Sequence, residues 1–450
     1  MPSPPPLPDF KPSAPLPPPI ARTLRLSVIE GSITQVFLNW TSGSVLIGYM
    51  LHYGASALEI GLVASVPLLA QMVSPFAAYL AALAGRRKPL TILLAALGRG
   101  LWFLAALFPL LALPATLIPS LLVLLVMLSS LFQAAAGTLW VAWMGDVIPE
   151  ERRGRYFGFR TGVVGVVGVV ANLAAGWFLD QVGAPLNFQV VLLVAVACAA
   201  IGLVLVAFHH EPPSTELPYG FTATFREPWR NANFRRFLLF AVYWQFAVML
   251  AAPFVFPYFL DELRLSFTQI AVWSVIASSF ALVTTTQWGR LADRAGNKAV
   301  LAIGTFLAGL ALPGCWILAG LTGNLWFIWA SAAFDALAWG AIGPAIFNLA
   351  LVSAPKANRV AFIAMLGLAT GASGFVGGLL SGPLLELLSR FPLPLGQATL
   401  TGYHWLFILS GVFRCQAWRL LRPVEETNAW RTRDVLRAMR PWRHVGFPWR

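Results

Sequence analysis

Asp335 stands inside an apolar run, residues 325–351, with Trp339 one helical turn further along the same face. A carboxylate in such surroundings is costly to bury and is a functional candidate by default. Its chemistry is either binding and release of a proton or cationic group, or a fixed bond to a neighbouring helix. Neutral polar groups recur at helical spacing in other apolar runs. Ser32, Gln35, Asn39 and Ser42 form one stripe, Gln133, Gly137 and Trp140 a second, and Gln245 shares a face with Met249. Each offers amide, hydroxyl or aromatic contacts with little charge, and each serves equally as a ligand contact or as a bond between helices. Arg99 and Arg414 also lie deep in apolar runs and are expected to pair within their own surroundings. Glu30 sits near the edge of its run, where Arg25 or Arg160 could pair with it as an interfacial ion pair or a gate.

Other reactive residue types show no usable pattern. His52, His209, His210, His404 and His444 give no catalytic or haem-ligand spacing. His209 and His210 are adjacent but lack a third ligand, so a solvated loop is expected there. Cys198, Cys315 and Cys415 each stand alone among apolar residues and read as buried small hydrophobes. There is no Walker-type phosphate loop. No cofactor, no metal and no enzymatic activity are expected.

The elements that carry these residues are set by composition. The 450 residues are 58% hydrophobic and 11% charged, with a mean hydropathy of +0.73. Soluble domains carry about 25% charged residues, so most of this chain must face lipid or an interior within lipid. Apolar runs of spanning length fall near 27–51, 58–83, 89–112, 117–144, 157–180 and 187–208. After a polar break they resume near 236–260, 267–289, 299–320, 325–351, 360–387 and 402–420. The expected class is an all-α integral membrane protein of about twelve spans. The net charge of +13 does not indicate nucleic acid, because the basic residues fall in short loops. One set of loops holds Arg86, Arg87, Lys88, Arg152, Arg153, Arg155, Arg226, Arg230, Arg235, Arg236, Arg290, Arg294, Lys298, Lys356 and Arg359. The opposite set holds Arg264 and Arg390. By the positive-inside rule both termini are cytoplasmic, in agreement with an even number of spans.

Five segments follow. Residues 1–24 are a proline-rich leader, expected to be disordered, and show no secretory signal. Residues 25–208 and 236–421 are two six-span bundles. Residues 209–235 are the cytoplasmic linker between them. Residues 422–450 are a basic tail that could lie on anionic headgroups. The bundles repeat one another. One constant shift in numbering maps Pro149, Arg153 and Tyr156 onto Pro355, Arg359 and Phe362. The same shift maps Gly165, Gly168 and Gly176 onto Gly371, Gly374 and Gly382. A slightly larger shift maps Ser56 and Ile60 onto Ser266 and Ile270. Parallel six-span repeats related in this way suggest close, glycine-lined helix packing at the fifth and eleventh spans.

The stretch Gly289 through Lys298, GRLADRAGNK, resembles the loop between the second and third helices of each half of a major facilitator superfamily (MFS) transporter, roughly G-x-x-x-D-R-x-G-R-K. In such a loop Gly289 permits close helix approach, Asp293 accepts hydrogen bonds from a helix N-terminus, and Gly296 supports a turn at positive φ. Arg294 and Lys298 hold the loop to the cytoplasmic side. The first half departs from the pattern. Gly85, Arg86, Arg87 and Lys88 survive, but Ala78 and Ala82 replace the first glycine and the aspartate, so the resemblance implies a weaker latch there. The junction Trp143 through Arg160 also resembles the family, with Pro149 ending the fourth helix and Arg153 and Arg160 at the cytoplasmic face. The antiporter Gly-Pro signature and the usual fourth-helix arginine are absent.

The resemblance covers roughly residues 25–420. It implies that the first, fourth, seventh and tenth helices line a central cavity. Gln35, Asn39, Gln133, Trp140, Gln245, Asp335 and Trp339 then become solute contacts. Gly289, Asp293, Arg294, Gly296, Arg153, Arg160, Gly85 and Arg86 become the gate. Asp293 is expected beside 153–160 in the outward-open state. The function implied is secondary transport of a small organic solute by alternating access, with H+ as the coupling ion where there is one. The partners are that solute and membrane lipid, the protein is expected to be a monomer, and the membrane is the plasma (inner) membrane. The alternatives are a non-transporting MFS-like receptor or assembly factor, and an integral-membrane enzyme.

Overall fold

A computed structural model of the chain describes residues 16–74, 76–77, 86–111, 113–212, 228–354 and 359–426. Ala78, Ala82, Gly85, Pro355 and Lys356 lie outside the described residues, as do most of the leader, linker 213–227 and tail 427–450.

Among the described residues each of the twelve expected spans is helical. The first helix is Pro18–Trp40 and, after a break at Thr41 and Ser42, Gly43–His52. The second is Ala57–Ala70 with a 3-10 turn Gln71–Val73. The third to sixth are Lys88–Leu107, Ile118–Val147, Glu150–Gln181 and Leu186–Ala207. The seventh, Ala232–Met249, continues through Val255–Pro257 and a π turn Tyr258–Glu262. The eighth is Phe267–Ala295. The ninth, Asn297–Phe306 and Leu312–Thr322, is joined by a π turn Leu307–Ala311. The tenth, eleventh and twelfth are Trp326–Ser353, Arg359–Leu388 and Gly402–Leu421. A hairpin of β1 (Leu393–Leu395) and β2 (Ala398–Leu400) pairs Pro394 with Thr399 before the twelfth helix. Among the described residues nine helices are long and apolar enough to cross a membrane. The other three spans miss that measure because the first carries Arg22, Arg25, Glu30, Gln35 and Asn39, the second is described only to 77, and the twelfth carries His404, Arg414 and Arg419.

Two segment boundaries differ from expectation. Residues 18–24 are helical, not leader, since Pro18 and Pro19 occupy the first helical positions, where a missing N–H costs nothing. The seventh helix begins at Ala232, capped by the Asn231 side chain on Phe234 N at 2.9 Å, so the linker is shorter than 209–235.

Each half is tied by the same devices. In the first, Trp102 Nε1 donates to Ser129 Oγ (3.0 Å), and in the second Trp316 Nε1 donates to Ser331 Oγ (3.2 Å). A buried indole needs such an acceptor. Beyond the sixth helix, Glu211 Oε1 accepts from the N–H groups of Arg87 and Lys88 at 2.6 and 2.8 Å, while Lys88 Nζ donates to His209 O. Beyond the twelfth, Glu426 accepts from the N–H groups of Asn297 and Lys298 at 2.9 and 2.8 Å, while Lys298 Nζ donates to the carbonyls of Arg422 and Val424. A carboxylate thus staples the end of each half to the N-terminus of its third helix, satisfying donors the helix itself leaves open. The staples mark one face of the molecule, and the β hairpin marks the other.

The halves meet toward the hairpin face. A Cβ on Gly176 would strike the Phe267 backbone, and one on Gly382 would strike the backbone of Ala57, the repeat equivalent of Phe267. Gly61 and Ser65 of the second helix pack on Gly378 of the eleventh in the same way. Ser56 and Ser266 cap the second and eighth helices through matching capping boxes with Glu59 and Gln269. Toward the staple face this packing ends. Gly158 and Gly162 of the fifth helix and Gly289 of the eighth meet nothing within 4 Å, and neither do the repeat-equivalent Gly137 and Gly343 of the fourth and tenth. Among the described residues, the fifth and eighth helices are in backbone contact toward the hairpin side and their glycines are free of contacts toward the staple side.

Candidate functional site

The space between the halves narrows to a cavity of about 100 Å³ against the hairpin-side seal. Its polar wall comes from Asn39, Ser42, Asn172 and Ser274, and its apolar wall includes Phe256 and Phe267. The first helix contributes because its break at Thr41 and Ser42, followed by Gly43 at φ 58°, turns the chain away there. Of the seven expected solute contacts only Asn39 lines this cavity. Asn172, Ser274 and the two phenylalanines were not singled out from sequence. Asn172 lies one helical turn beyond Gly168, on the helix whose glycines were legible.

The remaining expected contacts divide. Gln35 Nε2 donates to Asn39 Oδ1 at 2.7 Å, and Asn39 Nδ2 donates to Gly168 O at 2.8 Å. The first-helix stripe is therefore bonded to the fifth helix through its repeat glycine. The second half repeats this contact, since Gln245, the counterpart of Gln35, packs on Gly374, the counterpart of Gly168. Gln133 Nε2 is held by Ser129 Oγ at 2.9 Å. Asp335 is half-buried with Trp339 beside it, and the Trp339 ring lies 6.2 Å from that of Trp244. The charge of Arg414, from the twelfth helix, reaches Asp335. Arg414 is buried and donates to Ala308 O at 3.0 Å and Val248 O at 3.3 Å. Asp335 lacks a basic neighbour on its own helix, but it is not electrostatically alone.

Trp140 belongs elsewhere. The Arg160 guanidinium stacks over its ring at 4.5 Å from the centroid, a cation–π contact. Arg160 also pairs with Glu30 at 3.6 Å and donates to Ser27 O at 3.2 Å. Thr34 Oγ1 donates to Glu30 Oε1 at 2.9 Å, and Arg99 Nη1 donates to Thr34 at 3.5 Å. Glu30, Arg99 and Arg160 thus form one buried charge network in the first half. The partner of Glu30 is Arg160 and not Arg25.

The gate residues are mostly disengaged. Among the described residues nothing lies within 4 Å of a Cβ placed on Gly289, so the close approach expected of it is not seen there. Asp293 and Arg294 are exposed. Asp293 caps no helix, because the N-terminus next to it, at Asn297 and Lys298, is already held by Glu426. Gly296 has φ 89°, the left-handed turn expected. Arg153 reaches back to Ile148 O and Gly145 O at 3.2 and 2.7 Å, and Arg86 is exposed. Arg87, beside it, is buried in an ion pair with Asp146. On the opposite face a carboxylate not anticipated from sequence crosses between the halves. Asp180, at the end of the fifth helix, accepts from Phe267 N at 2.9 Å and Thr268 N at 2.8 Å at the start of the eighth.

Of the adjacent histidines, His210 is exposed, as expected of a solvated loop, and His209 is not. His209 is buried beside Trp143, with ring centroids 5.9 Å apart. Burial and the nearby Lys88 and Arg160 charges push it down to about 4, so it is neutral near pH 7. Among the described residues no group of His, Cys, Asp and Glu could hold a metal.

No curated protein matches this sequence at a significant level. Solved structures do match its fold. The nucleoside transporter NupG is 14% identical, with 89% of this chain and 98% of that one covered and a TM-score of 0.67. The D-xylose-proton symporter is 14% identical, with 91% and 99% covered and a TM-score of 0.70. A bacterial homologue of the human lysosomal transporter Spinster, in its inward-facing and unoccupied conformation, is 17% identical, with 94% and 99% covered and a TM-score of 0.67. The Major Facilitator Superfamily model matches residues 31–378 and, in an overlapping match, 245–450. With two six-helix halves around a space closed at one face, this chain is a multi-pass membrane protein and secondary transporter belonging to the Major Facilitator Superfamily.

Proposed function

We propose that this transporter carries a small, uncharged, polar organic solute by alternating access, and that the arrangement described is its inward-open state. The observation that carries this reading is the asymmetry of packing between the halves. The repeat glycines Gly176 and Gly382 are in backbone contact at the hairpin face, whereas Gly158, Gly162 and Gly289 are open at the staple face. The neutral amides and hydroxyls of Asn39, Ser42, Asn172 and Ser274 favour a solute that exchanges hydrogen bonds without fixed charge. At about 100 Å³ the cavity holds roughly three waters. It therefore grips one end of a solute whose remainder lies in the open space, near Gln245 and Trp339. A nucleoside and D-xylose, named for two proteins of this fold, have this chemistry, although the solute class rests on the lining. Asp335 is assigned proton coupling. Monomeric protein in the plasma (inner) membrane completes the reading.

Reconstituted protein should catalyse saturable counterflow of one or more neutral sugars or nucleosides in liposomes loaded with a panel of them. Absence of flux for every neutral solute, with flux for an anion or a cation, would refute the solute class. Absence of all flux would refute transport and leave the receptor reading.

The basic loops on the staple face support a cytoplasmic position for it. A cysteine introduced at the exposed Thr399 of the hairpin should then react with a membrane-impermeant maleimide added to intact cells. Labelling only after permeabilisation would invert the orientation.

A further inference from the structure

The ninth and twelfth helices enclose a groove of about 450 Å³, distinct from the space between the halves. Its cause is local. The ninth helix widens into a π turn at Leu307–Ala311 just before Pro313, whose ring cannot supply the next backbone donor. At that level Gly309 and Gly411 let the two backbones touch. Beside the contact, Pro313, Gly314, Ile317, Phe407 and Cys415 form an apolar trough. Leu310 and Val412, next to it, are 65% and 47% exposed, which puts the trough on the outer surface of the bundle.

One end of the trough is charged. Arg419 lines it, is exposed, and makes no ion pair or hydrogen bond among the described residues. The nearby carboxylates are engaged elsewhere. Glu425 pairs with Arg236 at 2.7 Å, and Glu426 holds the N–H groups of Asn297 and Lys298. Trp418, also lining the groove, adds an amphipathic ring at the same end. Phe407 and Arg419 are twelve helical steps apart, about 18 Å at 1.5 Å per residue. One leaflet of hydrocarbon is about 15 Å deep. The groove therefore has the length of one acyl chain and a cation at headgroup depth.

We propose that this groove binds one anionic phospholipid from the leaflet on the staple face, its acyl chain along Gly314 and Cys415 and its phosphate on Arg419. The site is independent of the solute path and of the direction of transport.

The test uses the purified full chain in detergent with an equimolar mixture of phosphatidylglycerol and phosphatidylcholine of matched acyl chains, read by native mass spectrometry. Wild type should retain one phospholipid with a preference for phosphatidylglycerol of about fivefold, the equivalent of about 1 kcal/mol for one cation at a headgroup. Arg419→Gln should retain both lipids equally. Gly314→Leu should fill the groove and lose the retained lipid. A Cβ at Gly314 meets nothing within 4 Å, and leucine is the better helix former, so this variant keeps the fold. Unchanged preference in Arg419→Gln would place the selectivity elsewhere, in the basic tail for example, and overturn the headgroup assignment. Retention by Gly314→Leu equal to wild type would reduce the bound lipid to a non-specific annulus and overturn the site.

Discussion

Replacing Asp180 by alanine should shift the resting population toward the outward-open state by about tenfold or more. Asp180 makes two bonds across the halves, to Phe267 N and Thr268 N, and both must break for the hairpin face to part. Hydrogen bonds to a charged group contribute about 1.5–3 kcal/mol each when protected. Exposure of this pair reduces that, and roughly 1.5 kcal/mol in total corresponds to about a tenfold change in a two-state equilibrium. The bonds also place a negative charge on the positive end of the eighth helix, which the inward-open state alone enjoys. The repeat equivalent of Asp180 in the other half is Glu386, which is exposed and makes no such contact, so nothing substitutes for Asp180. The measurement is maleimide reactivity of a cysteine at Ser274, in a background lacking Cys198, Cys315 and Cys415. Outside-accessible labelling should rise in Asp180→Ala. Equal rates with and without the carboxylate would show that the glycine contacts alone hold the seal.

The same logic gives the eighth helix a carboxylate for each state. Its N-terminus receives Asp180 when the staple face is open. Its C-terminal end carries Asp293, which is exposed and makes no hydrogen bond or ion pair among the described residues; its proposed partners, 153–160, come within reach when that face closes. Asp293→Asn should accordingly favour the inward-open form, the opposite direction to Asp180→Ala.

Much of this was written in local sequence, and the reason is periodicity. Apolar runs and loop charge depend on near neighbours, and the half-repeat is a regularity of the chain itself. The structure realises that repeat as Gly168 on Gln35 and Gly374 on Gln245, or Gly176 on Phe267 and Gly382 on Ala57. What was not legible depends on partners far apart in the chain. Asp180 reads as a solvated carboxylate until Phe267 is brought to it. Glu211 and Glu426 lie beyond the last apolar residue of each half, where no spacing rule applies, although their parallel positions were a signal. Trp140 was placed on a cavity stripe with Gly137 by helical spacing. A step of three residues falls short of a full helical turn, which leaves Trp140 at the edge of that face and directs it to Arg160. The neutral wall at Asn172 and Ser274 forms only where the fifth and eighth helices meet.

Asp335→Asn should abolish uphill, pH-driven accumulation while leaving exchange of solute down its own gradient intact. Asp335 is the ionisable carboxylate of the tenth helix, and Trp339 beside it is 37% exposed. Asp335 sits in the field of the Arg414 guanidinium, with the Trp339 indole beside it. Arg414 is locked by two backbone carbonyls, Ala308 and Val248, so its charge does not move with the solute. On the proposed reading, a change of hydration or distance as the halves rock loads or releases the proton. Asparagine keeps the shape and most of the hydrogen bonding but cannot titrate. It also leaves Arg414 without its counter-charge, and some loss of thermal stability is expected, since an uncompensated buried charge is costly. Retained counterflow separates the two effects, because a misfolded protein would lose exchange as well. Full pH-dependent accumulation by Asp335→Asn would make the residue structural, a fixed counter-ion for Arg414, and would move the coupling site to the remaining buried carboxylate network at Glu30 and Arg160.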